Sequence, residues 1–388
     1  MPSSHELAVA LRRRLQILSR RVPRRDDGFL DPKVLQSEAL ELRDELPEDT
    51  VRALKVVHVP VSQPPWTHAD VGLFAGDEVT VIGAGRAWLS APLQIWIGPR
   101  FQLWCRVGQE GPIFRSTGET NTFTADHGGP LQLASYFPGE WADATGELAT
   151  DPAEYQPILG DLRALVIVWH GSAADGLRKL AAIRDPLGLF ARELERQESP
   201  AQTPEGWEHL WFLGDSAIYR DDEVDGGPCI RCNTHRDVGI IRREVDLPLD
   251  DDTTVEWRWK VDRLPSKLPE DTIFTHDYMS LAVEFEDGND ITYYWSAGLP
   301  VDTAYWCPLP TWHDHEFHVV VRSGKRGLGE WQQERRTLRE DYERWMGEPP
   351  SRIVRVWLIA NSLMQRIPGD ATYADIVIRN GDGETRVL

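Results

Sequence analysis

Val255-Glu256-Trp257-Arg258-Trp259-Lys260-Val261 alternates strictly between apolar and charged residues. A strand turns successive side chains to opposite faces, so Val255, Trp257, Trp259 and Val261 share one face and Glu256, Arg258 and Lys260 the other. This is the pattern of a half-buried strand, and similar runs surround it. Segments 207–213 and 239–245 precede it; 279–285, 290–295, 316–322, 353–360 and 373–379 follow. Upstream, short β-branched or aromatic runs at 56–59, 78–82, 94–97, 101–107, 121–124, 131–134 and 165–169 are separated by Gly and Pro. Many short strands at this spacing predict antiparallel sandwiches. The polar stretch 197–204, twice broken by Pro, divides the strands into two sets.

Helical periodicity is confined to three places. Leu7, Leu11, Leu15, Ile17 and Leu18 repeat at helical spacing over 5–22, with arginines on the other face. A second helix opens at Asp31-Pro32 and runs to Leu46, and a third is expected from about Ala173 to Glu195. The predicted organisation is a helical arm over 1–50, a lectin-like sandwich over 55–172, a helix and linker over 173–205, and a jelly-roll sandwich over 206–388. The arm, read as a helical hairpin, is a candidate surface for homo-oligomerisation.

The 388 residues carry a formal net charge of -20 and 16 Trp. So acidic a surface repels phosphate backbones and anionic lipid, which argues against nucleic-acid and membrane-surface roles. Most of the indoles are expected in cores, with some lining a ligand cleft. No signal-peptide h-region follows the arginine-rich start, no apolar run is long enough to cross a bilayer, and four Cys suit a reducing compartment. The expected location is the cytoplasm.

Two stretches resemble known families. Trp66-Thr67, the run Val71-Gly72-Leu73-Phe74-Ala75-Gly76-Asp77-Glu78-Val79-Thr80-Val81, Leu131-Gln132-Leu133 and Pro138-Gly139-Glu140-Trp141-Ala142-Asp143 resemble the galactophilic bacterial lectins of PA-I type. That resemblance covers about 56–170 and implies a β-sandwich with a calcium and sugar loop. Glu140 and Asp143 are the ligands it leaves for Ca²⁺. Tyr136-Phe137 stands where the family has an Asp, and Ca²⁺ prefers six to eight oxygens. In the second half, Glu256-Trp257-Arg258-Trp259-Lys260-Val261, His276-Asp277-Tyr278, Thr292-Tyr293-Tyr294-Trp295, Val320-Val321-Arg322-Ser323-Gly324, Asp341-Tyr342 and Tyr373-Ala374-Asp375-Ile376 occur in order. They resemble a bacterial family known only as domain of unknown function 3047, which implies a concanavalin-type jelly roll. Leu281 and Asn361-Ser362 depart from that family's pattern.

Four constellations are candidates for chemistry. In Trp312-His313-Asp314-His315-Glu316-Phe317-His318, alternation places Glu316, His318, Val320 and Arg322 on one face, where Glu316 and His318 suit an acid–base pair; a solvated outer face explains them equally. Glu284 and Glu286 lie two apart in a strand, as a carboxylate pair or an acidic hairpin end. Cys229-Ile230-Arg231-Cys232 followed by His235 has zinc spacing, with Cys307 or a histidine of 313–318 as the fourth ligand, but a lone C-x-x-C argues against Zn²⁺. Tyr293, Trp295, Trp306 and Trp312 are the aromatic candidates for gripping a ligand, with Arg322 beside them.

No G-x-S-x-G, phosphate loop or H-E-x-x-H motif is present. The expected function is therefore binding of a carbohydrate or other small organic ligand by tandem sandwiches. The alternative is a hydrolase or lyase using His276, Asp277, Glu284, His315 and His318.

Overall fold

In a computed structural model the described residues are 4–19, 29–47, 49–137, 139–381 and 383–388. Pro138 of the expected calcium loop and Arg24-Arg25 of the basic stretch lie outside them. The described chain divides into two compact units: residues 29–201 with 211–215, and residues 4–19 with 202–210 and 216–388. Both are mainly β. Helix α1 (Ser4–Ser19) belongs to the second unit.

The first unit starts with α2 (Pro32–Glu45), whose N-terminus is capped by the Asp31 carboxylate accepting from Lys33 N–H at 2.9 Å. Its strands are β1 (Val51–His58), β2 (Thr67–Leu73), β3 (Glu78–Ser90), β4 (Ile95–Ile97), β5 (Leu103–Val107), β6 (Phe114–Arg115), β7 (Thr120–Thr124), β8 (Gly129–Ser135) and β9 (Leu159–Trp169). A short α3 (Pro99–Gln102) sits among them, and α4 (Ala173–Ile183) and α5 (Leu189–Glu198) follow. The strands make two antiparallel sheets, β1-β9-β3-β4 with β7 added to β3, and β2-β8-β5-β6. Leu35, Ala39 and Leu42 of α2, Leu177 and Leu180 of α4 and Phe190 of α5 pack on Ile82, Ala84, Leu165 and Ile167. Val79, Val81, Val166 and Val168, of opposite parity, are buried as well. Both faces of this sheet are thus covered, which is why β3 and β9 read as continuous apolar runs. Gly85 is required where β3 crosses β9: its φ is +111°, and a Cβ would lie 1.9 Å from the Asp161 carbonyl oxygen.

The single helix expected over 173–195 is two helices. Pro186 and Gly188, the latter at φ +63°, break it, and the Asp185 carboxylate accepts from the N–H groups of Leu189 and Ala191 to start α5.

In the second unit the strands are β10 (Glu208–His209), β11 (Tyr219–Val224), β12 (Gly227–Thr234), β13 (Val238–Pro248), β14 (Thr254–Arg263), β15 (Tyr278–Phe285), β16 (Asp290–Ser296), β17 (Ala304–Trp306), β18 (Glu316–Ser323), β19 (Trp331–Thr337), β20 (Arg352–Asn361), β21 (Gly369–Asn380) and β22 (Gly383–Arg386), with α6 (Leu338–Trp345) after β19. They form a sandwich of a seven-stranded sheet, β10-β13-β20-β15-β16-β18-β17, and a six-stranded one, β11-β12-β21-β14-β19 with β22 on β21. Trp257 and Trp259 of β14 meet Met279, Leu281 and Val283 of β15 and Tyr293 and Trp295 of β16 in the core between them. The fold class is therefore as expected: mainly β, two sandwiches, few helices. One pairing is not antiparallel. β16 and β18 run parallel, because the crossover 297–315 returns the chain to the start of the sheet and places β17 on the far side of β18.

The two helices of the expected arm belong to different units. α2 packs in the first unit, whereas α1 packs in the second, where His5 Nε2 lies 2.9 Å from the Asp271 carboxylate. Leu7, Leu11 and Leu15 stay exposed, and Val9 and Arg13 are buried instead. The Arg13 guanidinium donates to the Met364 carbonyl, so a polar contact, not the leucine stripe, sets which face turns inward.

Candidate functional site

Odd-numbered residues of β15 and β16 enter the sandwich core, so Tyr278, Ser280 and Glu284, then Asp290, Thr292, Tyr294 and Ser296, lie on the other face of the seven-stranded sheet. β18 adds Glu316 and His318, in register with Asp290 and Thr292. A solvated outer face is not what results: apart from half-buried Glu284, all of these side chains are buried. The Glu270 carboxylate, in the segment before β15, accepts from Ser296 Oγ at 2.5 Å and Ala297 N–H at 2.8 Å, laying that segment over the end of β16.

Under this cover four side chains converge. His276, Cys307 and His318 are 0% exposed and Glu316 is 3% exposed, and their ligand-type atoms all lie within 4.8 Å of one another. His276 Nδ1 donates to the Glu270 carbonyl at 2.8 Å, which leaves the Nε2 lone pair facing Cys307 Sγ at 3.4 Å. Glu316 Oε1 accepts from Tyr278 Oη at 2.6 Å and lies 3.5 Å from His318 Nε2. Tyr305 stacks on the His318 ring, and the two imidazoles meet edge to face at 4.7 Å. Neither ring nitrogen of His318 has a hydrogen-bond partner. A buried polar group left so costs about 1–3 kcal/mol.

Burial lowers the His276 pKa to about 3, with His318 adding to the effect, so its imidazole is neutral. Burial pushes the Cys307 thiol up. For Glu316 burial works upward but is outweighed by the neighbouring His318 and by the Tyr278 hydroxyl, so its pKa is lowered. Asp290 is pushed up by burial and by Glu316.

Burial also raises Glu270, to about 7, against the hydrogen bonds from Ser266, Ser296 and Ala297. The unfolded carboxyl titrates at about 4.3. The folded state thus binds the extra proton between these values, and the stability this contributes is full below the lower one and lost as pH rises through about 7. We expect the unfolding temperature of wild type to fall more steeply between about pH 5 and 7.5 than that of Glu270→Gln; parallel slopes by calorimetry would refute the assignment.

Of the residues singled out from sequence, His276, Cys307, Glu316 and His318 come together, and the others do not join them. Asp277 points elsewhere, its carboxylate accepting from the N–H groups of Met364 at 2.8 Å and Gln365. Glu284 is held by Arg355 at 2.7 Å and Trp357 Nε1 at 2.8 Å, while Glu286, beyond the strand end, caps Ser351. His315 is exposed. Tyr293 and Trp295 are core residues, their polar atoms bound to Asp341 and the Gly324 carbonyl. Arg322 pairs with Glu334. Trp306 and Trp312 are half-buried, against Phe317 and Trp357. Cys229 and Cys232, three apart on β12, point to opposite faces, so they do not chelate one ion. Glu140 binds the Tyr155 hydroxyl, whereas Asp143 closes a turn by accepting from Thr145 and Glu147 N–H. Among the described residues neither enters a group of three ligating side chains. Of Tyr136-Phe137, which stands where the resemblance expects an Asp, Tyr136 is a core residue and Phe137 packs against that core.

The first unit has a second feature that the strand pattern does not single out. An open depression of about 590 Å³ is lined by Arg52, His68, Asp70, Phe74, Gly129 and Pro130. Phe74 is 69% exposed. Its backbone N–H donates to Asp77 Oδ2 at 2.7 Å, and the Arg52 guanidinium lies 5.3 Å over its ring, so the exposed aromatic is held in place. Asp70 takes the left-handed φ of +52°, a region Asp and Asn enter more readily than other residues with a Cβ.

Residues 205–377 match the model of the family described as "Protein of unknown function (DUF3047)". No curated protein sequence matches the chain. Among solved structures the chain is similar to the EclA N-terminal domain, a PllA-like lectin, at 17% identity and a TM-score of 0.23 over 31% of this chain and 99% of that one. It is similar also to the xyloglucanase domain of NopAA, a type three effector from Sinorhizobium fredii, at 8% identity and a TM-score of 0.27 over 46% and 100%. For the family 11 xylanase from Neocallimastix patriciarum the values are 10% and 0.23 over 42% and 85%. Likeness at this level transfers no activity. No helix of the described residues is long and apolar enough to cross a membrane.

Proposed function

We propose that this protein binds a saccharide or another small polar organic ligand, and that the depression of the first unit is the binding surface. The observation that carries this is the fixed, exposed Phe74 ring beside Asp70, His68 and Arg52. An aromatic face packs on the apolar face of a sugar ring, while carboxylate, imidazole and guanidinium groups pair with its hydroxyls. Four free, buried thiols support a reducing compartment such as the cytoplasm.

A hydrolase or lyase in the second unit is the weaker reading. His276, Asp277 and His318 are fully buried, and the carboxylates of Asp277 and Glu284 are engaged by other partners. The test is a glycan array followed by calorimetric titration. Binding should weaken roughly threefold to tenfold in Phe74→Ala, the loss of one aromatic contact of about 0.5–1.5 kcal/mol. An array that retains no saccharide would overturn the saccharide reading, and a Phe74→Ala variant with unchanged affinity would overturn the assignment of this surface.

A further inference from the structure

We propose that His276, Cys307, Glu316 and His318 form a closed, four-coordinate site for a divalent ion of the zinc class. The site is separate from the ligand surface proposed above and does not depend on it. It is also not the C-x-x-C arrangement, whose cysteines lie on β12.

The geometry comes first. For a tetrahedral ion with Zn–S of about 2.3 Å and Zn–N or Zn–O of about 2.0–2.1 Å, neighbouring S and N atoms stand about 3.5 Å apart, and N and O about 3.4 Å. Here Cys307 Sγ and His276 Nε2 are 3.4 Å apart, and His318 Nε2 and Glu316 Oε1 3.5 Å. The His318–Glu316 separation is long for a strong hydrogen bond, and both separations are right for atoms sharing an ion. All four ligand atoms fall within one 4.8 Å group.

The donor set and its surroundings agree. Two imidazoles, a thiolate and a carboxylate suit zinc and disfavour calcium and magnesium, which take oxygen. Histidine binds a metal as the neutral imidazole, so one thiolate and one carboxylate would balance a dipositive ion and the buried site would carry no net charge. As the ion enters, the Cys307 thiol gives up its proton to solvent and the sulfur–metal bond forms, with no change of oxidation state. The outer partners of a metal centre are also present: the Glu270 carbonyl fixes His276 through Nδ1, and Tyr278 Oη holds Glu316. His318 supplies the independent sign of a ligand: it is fully buried, neither ring nitrogen makes a hydrogen bond, and Nε2 faces Glu316 Oε1 at 3.5 Å. The burial of every donor leaves no open coordination position, which defines a structural site rather than a catalytic one. The ion would join the segment before β15, the residue after β17 and the start of β18.

The experiment uses the full chain, unfolded in chelator and refolded with Co²⁺ or Zn²⁺ alone. We expect one ion per chain and, with Co²⁺, the visible bands of a tetrahedral ion together with thiolate-to-cobalt charge-transfer absorption. Cys307→Ser should abolish the charge-transfer band, and Cys229→Ser should keep it. A refolded wild-type chain without that band, or a band removed by Cys229→Ser and kept by Cys307→Ser, would overturn the site. Should Cys307→Ser not fold, zinc-edge X-ray absorption on wild type decides. One sulfur among nitrogen and oxygen scatterers supports the site, and none, or more than one, refutes it.

Discussion

Trp259→Ala is expected to cost the second unit about 3–5 kcal/mol, the range for removing a buried tryptophan. The indole is fully buried and packs among Trp257, Trp295 and Tyr373, with ring centroids 5.9–6.2 Å away. Its Nε1–H donates to Glu334 Oε1 at 3.0 Å, and the same carboxylate pairs with Arg322. The substitution therefore opens a cavity between the two sheets and takes a donor from a partly buried carboxylate. Against a usual domain stability of about 5–15 kcal/mol, this removes a large fraction. Because the chain has two units, urea unfolding should be followed by probes that separate their transitions. An unshifted midpoint for the second unit would show that Trp259 is not the keystone its burial implies.

Asp277→Ala is expected to destabilise the same unit by roughly 2–6 kcal/mol, since two buried N–H groups lose their acceptor at about 1–3 kcal/mol each. The carboxyl is fully buried, and burial raises its pKa to about 7 although Gln365, Met364 and Arg13 work in the other direction. Its two oxygens close the turn after β20 by accepting from Met364 and Gln365. Asp277→Asn keeps one acceptor oxygen and should fall between wild type and alanine. A catalytic Asp277 would behave differently: both variants would unfold at the wild-type midpoint and lose only turnover. Chemical denaturation of the three proteins separates the two roles.

Much of the architecture is legible in the chain because it depends on local periodicity. The alternation of Val255 to Val261 places Trp257 and Trp259 together in a core, and the same rule sets Phe317 and Val319 against Glu316 and His318. Helical spacing and the Asp31-Pro32 start locate α2. At α1 the structure departs from the pattern because a non-local contact intervenes. Leu7, Leu11 and Leu15 remain exposed while Arg13 reaches the Met364 carbonyl, and no pattern within the helix encodes that partner. The break between α4 and α5 has a different cause, since Pro186 and Gly188 are local signals that outweigh the helical periodicity around them.

The candidate sites divide in the same way. Strand parity shows that Glu316 and His318 share a face, but not whether that face meets water; the segment before β15 and the crossover after β16 cover it. His276 and Cys307 lie in irregular segments, where no periodicity reports direction, and only the parallel pairing of β16 with β18 brings the end of that crossover back beside them. By itself the sequence determined the strands, their inward faces and the two-sandwich class, since these follow from side chains within a few residues of one another. Tertiary structure alone decided which polar face is sealed and which four distant side chains meet beneath it, because cover and convergence depend on how separate segments pack.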